Sequence, residues 1–212
     1  MTESLLNNEP CFLNEPQWKA VLESLIVNDS FLSGRSETFI SLLILKSRIP
    51  HVFHHVTKFV SAQASYAPSQ LERLISSARN LRTDLLQWRS DYQSLIYSAA
   101  ILRVGTLPDE KSAEISATYL ACIMLTNRLI EVIYPSERVT LESETQVLAR
   151  QALELESETS AVSPRAKFQM AQTVFIAKAT RATARDWQES NEGTIQKWKF
   201  VLWCRLWGRT VC

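Results

Sequence analysis

One stretch, Ser112 to Tyr134 (SAEISATYLACIMLTNRLIEVIY), constrains the fold more than any other, because a helix drawn through it is apolar on nearly every side. Leu120, Cys122, Ile123, Met124, Leu125, Leu129, Ile130, Val132 and Ile133 cannot share one stripe, so other elements must surround it. The run from Ile115 to Tyr134 approaches membrane-spanning length, but Asn127, Arg128 and Glu131 would be costly in hydrocarbon. A buried central helix with no membrane contact is therefore expected. Asn127 and Arg128 then need partners or a route to water. A neighbouring carboxylate or an internal helix cap is expected to supply them, and Arg128→Ala is expected to destabilise the fold.

The remaining sequence supplies helices to enclose that one. Four glycines and seven prolines in 212 residues disfavour folds rich in tight turns, and no segment alternates apolar and polar residues as a half-buried strand would. A helix is expected from about Glu15 to Val27 with Trp18, Val21, Leu22 and Leu25 inward, followed by a loop over Asn28 to Gly34. A second starts near Ser36 and breaks or kinks at Pro50, and a third covers His51 to Ser65. Pro68 opens the longest, with Leu71, Leu74, Ala78, Leu81, Leu85, Trp88 and Tyr92 on one face and Arg73, Arg79, Arg82 and Arg89 on or beside the solvent face. It is expected to bend near Ser90 and Asp91 and stop near Gly105. Thr106 to Lys111 is a turn before the central helix, which Ser112 caps and Pro135 ends. Thr140 caps the next helix, with a stripe from Leu141 to Leu155, and a loop over Glu158 to Pro164 follows. Another helix spans Pro164 to Asn191, and after Gly193 a last one starts at Thr194. The expected fold is all-α: one domain over residues 1–212, of about eight mostly antiparallel helices, with residues 1–66 preceding a body over 67–212. A chain of this length can bury roughly 70% of its unfolded surface in one core.

Chemistry is harder to find. The net charge of +1 and pI near 7.7 do not point to a nucleic-acid or polybasic membrane binder. Cys11, Cys122, Cys204 and Cys212 are scattered without metal or redox spacing, and read as reduced thiols of an intracellular protein. The N-terminus lacks the basic region and apolar core of a signal peptide. His51, His54 and His55 are weak metal candidates, since His51 and His55 share a helix face but lack a third ligand nearby, so no metal or cofactor is expected. No G-x-S-x-G elbow, phosphate loop or D-D-x-x-D run occurs. Glu142, Glu144, Glu154, Glu156 and Glu158 read as a solvated acidic helix face. The Lys and Arg residues between Arg165 and Arg209 read as solvated faces that complement it. Trp198, Trp203 and Trp207 read as core or interface anchors, and with Asn127 and Arg128 they make up the candidate ligand or partner surface.

Four segments carry a family resemblance: LRTDLLQWRSDY (Leu81–Tyr92), TYLACIMLTNRLIEVIY (Thr118–Tyr134), PRAKFQMAQTVFIAKATRATARDW (Pro164–Trp187) and GTIQKWKFVLWCRLWGR (Gly193–Arg209). The chain resembles the C-terminal helical regulatory region of fungal binuclear zinc-cluster transcription factors over roughly its last two thirds. The resemblance implies an all-helical regulatory domain in a nuclear protein, with Asn127 and Arg128 as architectural residues. The family's six-cysteine cluster, which binds zinc and reads DNA, is missing from this sequence. No site residue is carried over, and direct sequence-specific DNA binding is not expected.

The functional expectation is a non-enzymatic regulator that works through protein partners, other transcription factors or itself, in the nucleus, with a cytoplasmic location as the alternative. Two competing expectations stand beside it. One is a small-molecule sensor with a pocket between the central helix and the Trp198 to Trp207 face; the other is an all-α metabolic enzyme of unrecognised type.

Overall fold

The computed structural model describes residues 2–7, 9–27, 35–62, 66–102, 110–161, 163–189 and 195–209. Among them there are helices and no strands, as an all-α fold requires. The α-helices are α1 (Thr2–Asn7), α2 (Pro16–Ser24), α3 (Glu37–Ser61), α4 (Pro68–Leu102), α5 (Glu110–Ile133), α6 (Arg138–Ser160), α7 (Pro164–Ala182), α8 (Ala184–Gln188) and α9 (Lys197–Leu206). Short 3-10 turns cover Phe12–Asn14 and Pro135–Glu137.

Local signals set several of these ends. Ser36 caps α3, its Oγ accepting from the Phe39 amide at 3.1 Å. Pro68 and Pro164 open α4 and α7, where the missing N–H would have had no helical partner. Pro135 closes α5. Gly208 adopts the left-handed region (φ 94°) after α9. Its amide donates to the Arg205 carbonyl at 3.1 Å and that of Arg209 to the Cys204 carbonyl at 2.9 Å, the paired bonds of a Schellman end. That turn brings the Arg209 guanidinium over the Phe53 ring at 3.8 Å.

Contacts along the helices fix their directions. Arg79 meets Tyr134 and Glu137, Arg82 meets Asn127, and Tyr92 meets Ser112, so α4 and α5 are antiparallel. Arg48 to Asp84 and Trp88 to Thr38 make α3 and α4 antiparallel. Thr145 to Asn127 and Glu142 to Arg128 do the same for α6 and α5, while Thr173 to Ala117 and Arg128 to Thr180 make α7 parallel to α5. From α3 to α7 the chain thus runs up and down around α5, whose residues from Tyr119 to Ile133 are all buried. Each Leu, Ile or Met so enclosed contributes about 1.5–3 kcal/mol.

Several expectations are corrected. Pro50 does not break its helix: α3 runs through it to Ser61, because Ile49, Pro50, Val52 and Phe53 are all buried and their burial offsets the lost hydrogen bond. Ser112 and Thr140 are not caps, since α5 starts at Glu110 and α6 at Arg138; the Ser112 hydroxyl instead meets the Tyr92 hydroxyl at 3.1 Å. Lys111 belongs to α5. Ser90 and Asp91 lie within continuous helix. The helix after Pro164 is interrupted at Thr183, whose Oγ1 donates to the Ala179 carbonyl at 2.9 Å, giving α7 and α8. Helix α2 is shorter than expected and, apart from the half-buried Leu22, its stripe is not inward: Trp18, Val21 and Leu25 are 42, 46 and 42% exposed. The loop over Asn28 to Gly34 and the stops at Gly105 and Gly193 lie outside the described residues.

Candidate functional site

Arg128 stands where α5, α6, α7 and α8 meet. Its Nη2 donates to Glu142 Oε1 at 3.2 Å and to the Thr180 carbonyl at 3.1 Å, with Glu142 Oε2 at 2.9 Å. Its Nη1 lies 3.6 Å from Glu131 Oε2, and its guanidinium carbon 3.9 Å over the Trp187 ring. Gln146 Nε2 donates to the same Glu142 oxygen at 2.9 Å and the same carbonyl at 3.1 Å. Asn127 Nδ2 donates to Thr145 Oγ1 at 3.1 Å, and its Oδ1 accepts from Arg82 Nε at 2.9 Å. Arg82 also pairs with Glu144, so the network runs outward to a partly exposed ion pair between α4 and α6.

The centre of this network is closed. The side chains of Arg128 and Glu131 are 0% exposed and that of Glu142 2%. Burial pushes the Glu131 carboxyl well above its ordinary range, with Arg128 pulling it back and Glu142 adding to the rise. Burial also raises Glu142, against the attraction of Arg128 and its hydrogen bonds to Gln146 and Arg128. Glu131 is the more strongly raised of the two neighbouring carboxyls, so it is the one that holds its proton while Glu142 stays paired with Arg128. Two carboxyls pushed apart in this way serve acid–base catalysis where a substrate can reach them. Here they are spent on helix contacts, and the arrangement locks α6, α7 and α8 against α5.

The α9 aromatics are equally closed. Phe53 of α3 is the hub, with ring centroids 5.7 Å from Phe200, 6.0 Å from Trp203 and 5.8 Å from Trp207. Trp203 also meets Trp187 at 5.8 Å, which joins this cluster to Arg128. The five residues of the candidate ligand or partner surface therefore do not form one surface. Asn127, Arg128, Trp203 and Trp207 are buried, and only Trp198 is open, at 54% exposure. A sensor pocket between α5 and α9 has these packed side chains in its place.

Other sequence candidates fall as follows. His51 and His55 lie with ring centroids 4.6 Å apart, and His54 is 5.5 Å from His55. Among the described residues no group of three His, Cys, Asp or Glu side chains is placed to hold a metal ion. His51 and His55, but not His54, line a cleft of about 330 Å³ between α3 and α4. Glu142 leaves the expected solvated acidic face for the core, and Lys199 and Arg209 of the basic segment are buried too, Lys199 donating to the Asp186 carbonyl at 2.6 Å. Cys11, Cys122 and Cys204 are buried free thiols, and burial pushes Cys122 up to about 12, which leaves it unreactive. Cys212 lies outside the described residues.

Sequence reasoning missed Glu142, Thr145 and Gln146 as the partners of Arg128 and Asn127. The signal was there: Glu142 sits beside Leu141 on the apolar edge of α6, with Thr145 and Gln146 one turn on. The chain matches no family model, no curated protein and no solved structure.

Proposed function

We propose that the chain is a helical regulatory and protein-interaction domain, of the type found in fungal zinc-cluster transcription factors, acting in the nucleus through protein partners rather than by reading DNA. Those partners are other transcription factors or a second copy of the chain. The observation that carries this reading is the uncovered face of α2. Trp18, Val21 and Leu25 recur at three- and four-residue steps and stay open to solvent. Phe12 extends the stripe, its ring edge-on to Trp18 at 5.3 Å. Anchors at this spacing are what helix-in-groove recognition uses. The closed Arg128 cluster supports the same reading, because it makes the body behind α2 a rigid scaffold.

The test is localisation with proximity labelling of the tagged chain in cells. Nuclear accumulation with transcription regulators among the labelled neighbours, reduced in a Trp18→Ser, Val21→Ser double variant, is the expected result. A chain confined to the cytoplasm with no such neighbours would overturn the proposal.

A further inference from the structure

We propose that the cleft between α3 and α4 binds a small phosphate monoester, held by Arg73, His51 and His55. This site is independent of the α2 face and of the regulatory reading.

The two helices present facing polar stripes. On α3, Arg48, His51 and His55 follow at i, i+3 and i+7; on α4, Gln70, Arg73 and Ser77 do the same. Antiparallel packing sets one stripe opposite the other. The cleft they enclose, about 330 Å³, is walled by His51, His55, Gln70, Arg73 and Ser77, with Tyr66 and Leu74 as its apolar part. Its volume falls in the range of small-ligand sites. No carboxylate lines it. The adjoining groove shares Arg73 and Ser77, and adds the Ser69 and Ser76 hydroxyls and one carboxylate, Glu72.

Charge selects the ligand. Arg48 is neutralised by Asp84 at 2.6 Å, whereas among the described residues Arg73 makes no ion pair. A free guanidinium opposite two imidazoles suits a tetrahedral oxyanion, which Arg binds through its planar fork while hydroxyl and amide groups fill the remaining lone pairs. The local field points the same way. His55 is lowered by burial and by repulsion from His51, His54 and Lys58, all on α3, and Arg73 faces it from α4. An anion in the cleft reverses that repulsion and draws protons onto the imidazoles. A metal ion is the poorer occupant, since it would meet Arg73 and have only two imidazoles to bind. Tyr66 and Leu74 give the organic part of the ester a surface to rest on, which inorganic phosphate would leave unused.

The test is isothermal titration of the full chain with phenyl phosphate and with inorganic phosphate, alongside NMR titration of the histidine ring protons. Saturable binding of the ester, tightening as pH falls through the histidine range near about 6.5, is expected, with the His55 midpoint rising when the ester is bound. Arg73→Gln should weaken binding about ten- to hundredfold, with an unchanged thermal midpoint showing that the fold is intact; Arg150→Gln, on the exposed face of α6, should bind as the parent does. Vesicles bearing phosphomonoester headgroups form the second arm. Soluble-ester binding without vesicle recruitment, or recruitment that the ester competes away, supports the proposal. Failure to bind the ester at millimolar concentration, binding unchanged by Arg73→Gln, or vesicle recruitment the ester does not compete would each overturn it.

Discussion

Helices α5 and α2 carry the same kind of signal and meet opposite fates. Both have apolar residues at three- and four-residue steps, yet α5 is enclosed by α3, α4, α6 and α7 while the stripe on α2 stays open. The difference lies in breadth. Apolar residues all round α5 demand neighbours on every side, and one chain folding on itself must provide them. A single stripe demands one neighbour, which this chain or another can supply. Periodicity therefore shows that a face wants burial without showing what buries it.

That contrast can be sharpened by substitution. In the interior, Trp203→Ala removes the indole that Phe53, Phe200, Trp187 and Trp207 pack against. A loss of about 3–5 kcal/mol in urea unfolding is expected; a loss under about 1 kcal/mol would mean the cluster collapses to refill the space.

Glu131→Gln should act in the opposite direction. The folded carboxyl is raised well above its ordinary 4.5, so between the unfolded and folded values the native state holds more protons than the unfolded one. Stability from this group is full below the unfolded value and is lost as pH rises through the folded one. Gln cannot ionise, so the variant should gain thermal midpoint over the parent on going from acid to mildly alkaline pH. A difference that does not change with pH would mean that Glu131 is already ionised in the folded protein.

On the surface, Trp18→Ser should change stability by no more than about 0.5 kcal/mol while reducing partner recovery. A loss comparable to that at Trp203 would erase the distinction between the two helices and place the α2 stripe in the core.

The fold was more legible than the site. The enclosure of α5, the Pro68 start of α4 and the start of α3 near Ser36 all follow from residues acting within one helix. The errors arise where a distant element decides. Pro50 stays helical because α3 is packed on both sides of it, and a local rule cannot include that burial. Arg79, Arg82 and Arg89 do lie beside the solvent face as expected, but the sequence did not show that they reach Tyr134, Asn127 and Tyr119 on α5 and its end, since long side chains can bridge helices from positions at the edge of the apolar face. Glu142 looked solvated as part of an acidic series, and only the position of Arg128 across the α5–α6 contact shows why a carboxylate belongs there. That Arg128 needed a carboxylate was legible; which one was not.

The central claim is that Arg128 and Glu142 form a structural pair locking α5, α6 and α7, and a double-mutant cycle by urea unfolding tests it most directly. Arg128→Met leaves a buried carboxylate uncompensated and should cost about 3–5 kcal/mol, and adding Glu142→Gln should recover a substantial part of that loss. Stability unchanged by Arg128→Met, or two losses that simply add, would contradict the pair as the lock of this fold.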